Sequence, residues 1–164
     1  KQCLLAKKFS EAGVRFVEIG HGGWDMHQNI NDNLKKNTTA IDKPIAALIQ
    51  DLKDSGLFED TIILFGSEFG RTPGIKEGAT GRDHNNGGFS MWMAGGGFKA
   101  GFEYGKTDDY AYNIVENPVH VNDLNATVLR ALGIDHERFT YKYLGLDQRL
   151  TGVEHPKVVP DLLA

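Results

Sequence analysis

The stretch "TIILFG", Thr61 to Gly66, decides the predicted fold. A continuous apolar run that ends at a glycine is typical of a strand buried on both faces of a parallel sheet. Two further apolar runs predict neighbouring strands, namely "VRFVEI" from Val14 to Ile19 and "FSMWMA" from Phe89 to Ala94. We therefore expect one sheet with "TIILFG" as a central strand.

The segments between these strands have the periodicity of helices. Apolar residues recur at spacings of three and four in "QCLLAKKFSEA", from Asn31 to Ser55, and in "LNATVLRALG". Pro44 predicts a kink or a restart in the second helix. Each predicted helix stops at a glycine: Gly13, Gly56 and Gly133. Strands that alternate with helices in this way predict an α/β fold.

Composition narrows the classes of function. The 164 residues, 40% hydrophobic and 24% charged, are sufficient for one soluble domain. The net charge of -4, with scattered Lys and Arg, argues against nucleic-acid binding and against a lipid-binding patch. No run reaches the roughly 18 apolar residues of a membrane span, so we expect no membrane insertion. The single cysteine, Cys3, has no partner for an intrachain disulfide.

Residues that can bind metal follow or precede the predicted strands. In open α/β sheets ligands gather beyond the carboxyl ends of the strands, so the loops there should bring their polar residues to one edge. The candidates in these loops are His21, Asp25, His27, Glu68, Arg71, Arg82, Asp83 and His84. Imidazole and carboxylate groups together suit zinc, manganese or iron. Asp25, His27, Glu68 and His84 are the predicted ligands.

Each candidate also has an ordinary interpretation. Asp25 and His27 are separated by one residue, which points both side chains the same way on an extended segment, but chance placement in a loop does so too. Glu68 is either a ligand or a residue that caps the chain or pairs with Arg71. His84 is either a ligand or an ordinary loop histidine. His21 and Asp83 fit better as partners that orient a ligand by hydrogen bonding.

Four blocks of the sequence carry a resemblance: "GGWDMHQN", "GSEFGRTP", "GRDHNNGGFSMWMAGGGFKAG" and "VNDLNATVLRALGIDHERFTY". They resemble successive blocks of a large bacterial family of unknown function in the alkaline phosphatase and sulfatase superfamily. The resemblance runs from Cys3 to the end and implies a single domain over residues 1–164 with a three-layer α/β/α fold. It also implies a metal site that splits phosphate or sulfate esters.

The resemblance gives the candidate residues specific roles. It implies that Asp25, His27 and His84 hold one divalent metal and that Glu68 holds a second, and it adds calcium to the candidate ions. Arg71 or Arg82 would pair with the substrate anion. The substrate would be a small-molecule phosphate or sulfate ester.

The same resemblance predicts that this chain is the C-terminal part of a longer protein. The nucleophile of the superfamily lies in an N-terminal half, so we expect an incomplete active site and little turnover by the chain alone. The expected partners are that missing half and, through exposed sheet edges, a second copy of the chain. The parent is expected to be exported, to the periplasm or outside the cell. The alternative hypothesis is a non-catalytic metal-binding or structural module.

Overall fold

The computed structural model describes residues 1–75 and 77–164 of the chain. Within them, the α-helices are α1, Gln2–Glu11; α2, Ile30–Asp54; and α3, Val121–Ala131. The predicted glycine stops are confirmed, since the second residue after each helix end is Gly13, Gly56 or Gly133 with a positive φ. After each of them the next amide bonds back into the last helical turn, a closure that requires a left-handed residue.

Helix α2 has the predicted length but is more regular than the sequence predicts. It continues through Pro44, so the chain does not restart there. Its 25 residues carry the chain away from the segment that contains Asp25 and His27 and end near the short 3₁₀ helix Phe58–Asp60. None of the helices described is long and apolar enough to cross a membrane.

The strands form short antiparallel pairs. Strand β1, Ile63–Phe65, pairs with β4, Trp92–Ala94, and β2, Gly70–Arg71, pairs with β3, His84–Asn85. Strands β5, Lys106–Thr107, and β6, Ile114–Glu116, form a third pair. The fourth is a hairpin of β7, Thr140–Tyr143, and β8, Leu146–Arg149. Each sheet therefore has two strands in the part of the chain that is described.

The predicted three-layer α/β/α fold, with the alkaline-phosphatase-like architecture, is wrong for this structure. "TIILFG" forms the three-residue strand β1, whose partner "FSMWMA" contributes the antiparallel β4. "VRFVEI" is not a strand, and Phe16 within it is 82% exposed. A β-forming sequence becomes a strand only where a neighbouring edge accepts its hydrogen bonds. No such edge reaches Val14–Ile19 among the residues described, so no parallel sheet forms.

The core is small, and the surface is large. The buried hydrophobic residues are Ala6, Met26, Leu52, Leu124, Ala126 and Leu129. The accessible surface is 11898 Å², whereas a compact monomer of this mass exposes roughly 8,100 Å². Large apolar side chains from α1, β1, β4 and the β7–β8 hairpin contribute to the difference of about 3,800 Å².

Hydrogen bonds to two side chains of α3, Thr127 and Asp123, hold the C-terminal segment against that helix. The Thr127 hydroxyl is fully buried, donates to the Asp123 carbonyl at 2.7 Å, and accepts the Val159 amide at 2.9 Å. The Asp123 carboxylate accepts the Lys157 amide at 2.7 Å and the His120 amide at 3.3 Å. The residue that caps α3 is therefore His120, and Asp123 supports it from inside the first turn.

Candidate metal centre

Three side chains from two distant segments converge at one point. The Nε2 atoms of His27 and His84 are 3.1 Å apart, and the Asp25 Oδ1 atom lies 3.0 Å from the first and 2.8 Å from the second. We call Asp25, His27 and His84 the metal triad, because two imidazoles and a carboxylate are a typical ligand set for a transition metal. The metal triad is a candidate metal-binding site.

The size of this triangle fits a metal ion. An ion about 2.1 Å from all three atoms would see each pair at roughly 90°. That is the angle between neighbouring ligands of an octahedron, and a tetrahedral ion would require atom separations of roughly 3.4 Å. Since small rotations of the side chains supply a few tenths of an ångström, the triangle admits either geometry.

Neighbouring side chains orient the two imidazoles. The Asp83 carboxylate lies 3.2 Å from His27 Nδ1, so that Nε2 of His27 is directed into the triangle. A carboxylate on the second nitrogen is the usual partner of a metal-binding histidine. The ring of Phe69 stacks on that of His84, with centroids 4.0 Å apart. The orienting role of Asp83 stays a prediction, to which this distance lends support, and the contact with Phe69 was not predicted from the sequence.

Gly81 lets the two ligand-bearing segments approach each other. It is buried against the backbone of Met26, His27 and Gln28, where a Cβ atom would lie 2.6 Å from the Gln28 amide nitrogen and closer still to the Met26 carbonyl and His27. The Arg82 amide donates to the Met26 carbonyl at 3.0 Å in the same contact. Gly81 therefore admits a second backbone segment.

Arg71 and Arg82 are directed at backbone carbonyls. Nη2 of Arg71 donates to the Trp24 carbonyl at 2.7 Å and to Asp25 Oδ1 at 2.8 Å, and Nη1 donates to the Arg82 carbonyl at 3.1 Å. Nη1 of Arg82 donates to the carbonyls of Thr72 and Pro73. Both guanidinium groups therefore connect segments of the site, and pairing with a substrate anion stays a prediction for their remaining donors.

The Asp25 carboxylate is held in its charged form. The hydrogen bond from His84, followed by that from Arg71, lowers the pKa of Asp25 from 3.8 to about 2. A metal ligand must be deprotonated, so this carboxylate is in the state that metal binding requires over the whole physiological range. Its side chain is 69% exposed, which leaves the triad open to solvent.

Two predicted site residues lie apart from the triad. Glu68 is exposed on the segment between β1 and β2 and is not among the residues described whose ligand atoms converge. Its role in holding a second metal stays a prediction. His21 packs edge-on against Trp24, with ring centroids 5.9 Å apart, rather than against a member of the triad.

The chain matches the family described as "Protein of unknown function (DUF1501)" over residues 1–163. It belongs to this family. No curated protein and no solved structure matches it significantly.

This match corrects the assignment to the alkaline phosphatase and sulfatase superfamily. The family that covers nearly the whole chain is one of unknown function, and no match to that superfamily accompanies it. The blocks "GGWDMHQN" and "GRDHNNGG" contain the metal triad. Short motifs of ligands and glycines recur in unrelated folds that bind metal, so they identify the site better than they identify a superfamily.

Proposed function

We propose that this chain carries the metal-binding part of a metal-dependent hydrolase of phosphate or sulfate esters. The observation that supports it is the metal triad, whose three ligand atoms lie within 3.1 Å of one another, with Asp83 on the second nitrogen of His27. A bound divalent metal would polarise an ester oxygen and lower the pKa of a bound water. Surface residues that merely face water need no such convergence.

The donor atoms of the triad limit which metal ion can bind. Two imidazoles and one carboxylate suit zinc, manganese or iron. Calcium prefers six to eight oxygen ligands, so the two histidine nitrogens count against it. We therefore propose one transition metal per chain at the triad.

The surroundings of the triad support an anionic substrate. A cavity of about 200 Å³ lies beside His27, and Arg82 and Asp83 contribute to its wall. Arg71 adds a second cation within 2.8 Å of Asp25. The guanidinium groups of Arg71 and Arg82 offset the carboxylates of Asp25 and Asp83, so a bound divalent metal would favour phosphate or sulfate groups over neutral esters, and the cavity admits only a small molecule.

The exposure of the triad to solvent suggests that another protein surface covers it in the active protein. Metal-dependent hydrolysis needs a shaped, dry cavity around the ion, but the Asp25 side chain is 69% exposed. The excess surface of about 3,800 Å² is larger than the roughly 800 Å² per partner of a standard interface. We propose that a further polypeptide packs on this chain and completes the site.

Metal analysis tests the site itself. Protein prepared without chelator should contain about one transition metal per chain by elemental analysis, and the variants His27→Ala and His84→Ala should lose it. His155→Ala is the matched control, because His155 is exposed and lies outside the triad. Equal metal content in the wild type and both triad variants would exclude the proposed site.

Turnover tests the enzymatic part. We expect little hydrolysis of aryl phosphate or aryl sulfate by the 164-residue chain with zinc or manganese added, because an uncovered metal lacks an aligned nucleophile. Robust turnover that His27→Ala abolishes would show instead that the chain is complete as it is. A metal-loaded chain that fails to bind inorganic phosphate or sulfate would favour the non-catalytic module.

Sedimentation tests the proposed partner. The chain alone should bind a dye specific for exposed apolar surface and should sediment without a single stoichiometric species. A discrete dimer that no longer binds the dye would show that the second copy is the partner. A compact monomer without dye binding would show that no partner is needed.

A further inference from the structure

Arg71 connects three segments of the metal centre through one guanidinium group. We infer that Arg71 is the positioning residue that sets Asp25 within reach of the two histidines, an inference that rests on the proposed metal site. The side chain of Arg71 is only 21% exposed, in contrast to the 69% of Asp25. The better-packed partner of this ion pair is therefore the arginine.

Arg71 matters more for the position of Asp25 than for the position of His27. Downstream of Asp25 the ligand segment is held by the Arg82 amide on the Met26 carbonyl, by Asp83 on His27 and by the buried contact with Gly81. The contacts of the Asp25 side chain in the described chain are with Arg71 and with the two other members of the triad. When a metal engages both imidazoles, Arg71 is the remaining contact.

The arginine also fixes the turn that projects Asp25. The Trp24 carbonyl accepts the Met26 amide at 2.9 Å, which places Asp25 at the centre of a tight turn. The same carbonyl accepts Nη2 of Arg71 at 2.7 Å. One nitrogen of Arg71 thus holds both the turn and the carboxylate that the turn presents.

The pairing of β2 with β3 fixes Arg71 relative to His84. Arg71 lies directly opposite His84 in the antiparallel ladder, and opposite side chains in such a pair are close neighbours. The ribbon that presents one ligand, His84, therefore also presents the group that holds another, Asp25. Only a planar guanidinium offers donors in a fixed fork to three acceptors at once, and a lysine ammonium does not.

The charge of Arg71 acts against metal binding, since it repels a cation at the shared carboxylate. Arg71→Lys keeps the charge and removes the fork, so it isolates the geometric role. Arg138→Lys is the matched control, because Arg138 is exposed and lies outside the metal triad. Both variants keep the net charge of the chain.

The experiment measures the affinity for zinc and for manganese by competition with a metal indicator. Arg71→Lys should weaken binding by about 10- to 100-fold, as expected when a residue that orients a ligand is lost, and Arg138→Lys should bind nearly as the wild type does. Arg71→Ala should regain affinity when methylguanidinium is added. Circular dichroism shows whether each variant is folded.

Three results are distinguishable. Wild-type protein that binds no metal refutes the proposed function. Wild-type affinity in Arg71→Lys refutes the positioning role, and if the same variant loses inorganic phosphate binding, Arg71 is an anion-binding residue instead. If Arg71→Lys does not fold, absence of rescue by methylguanidinium in a folded Arg71→Ala protein overturns the inference.

Discussion

Replacement of Gly81 by alanine should move His84 away from Asp25 and His27. The new Cβ atom would lie 2.6 Å from the Gln28 amide nitrogen, where ordinary contact begins at 3.4 Å. The three atoms nearest to it belong to the backbone, so no side-chain rotation relieves the clash. The two segments must therefore move apart by about 0.8 Å or more, whereas metal–ligand distances tolerate only about 0.2 Å.

The expected result of Gly81→Ala is a loss of metal affinity of at least about tenfold. The unliganded protein should also lose about 1–3 kcal/mol of unfolding free energy, as is usual when an atom is inserted into a packed contact. Calorimetric titration with zinc gives the first quantity and denaturant unfolding gives the second. Gly22→Ala is the control, because a Cβ atom at Gly22 meets nothing within 4 Å. Unchanged metal affinity in Gly81→Ala would refute this account of the site.

Two further predictions concern the carboxylates. Asp83→Asn should weaken metal binding by about 10- to 100-fold, because His27 loses its charged partner, and equal affinity in a titration would contradict the orienting role. The lowered pKa of Asp25, about 2 against 3.8, means that its charge stabilises the fold above about pH 4 and that this contribution is lost as the pH falls toward 2. The melting temperatures of the metal-free wild type and Asp25→Asn should therefore differ at pH 6 and converge at low pH, and a gap independent of pH would exclude this linkage.

Local signals in the sequence predicted the helices well. The spacing of apolar residues in α1 and α2 and the glycines after them are properties of a single segment, so they can be recognised without knowledge of the rest of the fold. The cap of α3 was less predictable. Asn122 and Asp123 are typical caps, yet the helix begins earlier, at Val121, so that His120 is the cap and Asp123 accepts the His120 amide from the first turn.

The sheet could not be predicted from single segments. "VRFVEI" and "TIILFG" have similar apolar content, but only the second has a partner strand among the residues described, and it is antiparallel. Pairing depends on residues far away in the sequence, which composition does not reveal.

The ligand residues were predictable by type, while their supports were not. The sequence predicts Asp25, His27, Glu68 and His84 as ligands because few other residue types bind transition metals, and the structure brings the ligand atoms of Asp25, His27 and His84 together. The stacking of Phe69 on His84, the close contact at Gly81 and the direction of Arg71 are properties of the assembled site. The only signal for Gly81 was its place two residues before an acid and a histidine, which also suits an ordinary turn.

The separation of the triad along the chain has a consequence for folding kinetics. His27 and His84 are 57 residues apart, and all of α2 lies between them. Local helices form within microseconds, whereas contacts between distant residues must wait until the loop that joins them closes. We therefore expect the triad to form after α2, so that metal binding marks the end of folding. During refolding, metal binding should recover after the circular dichroism signal of α2.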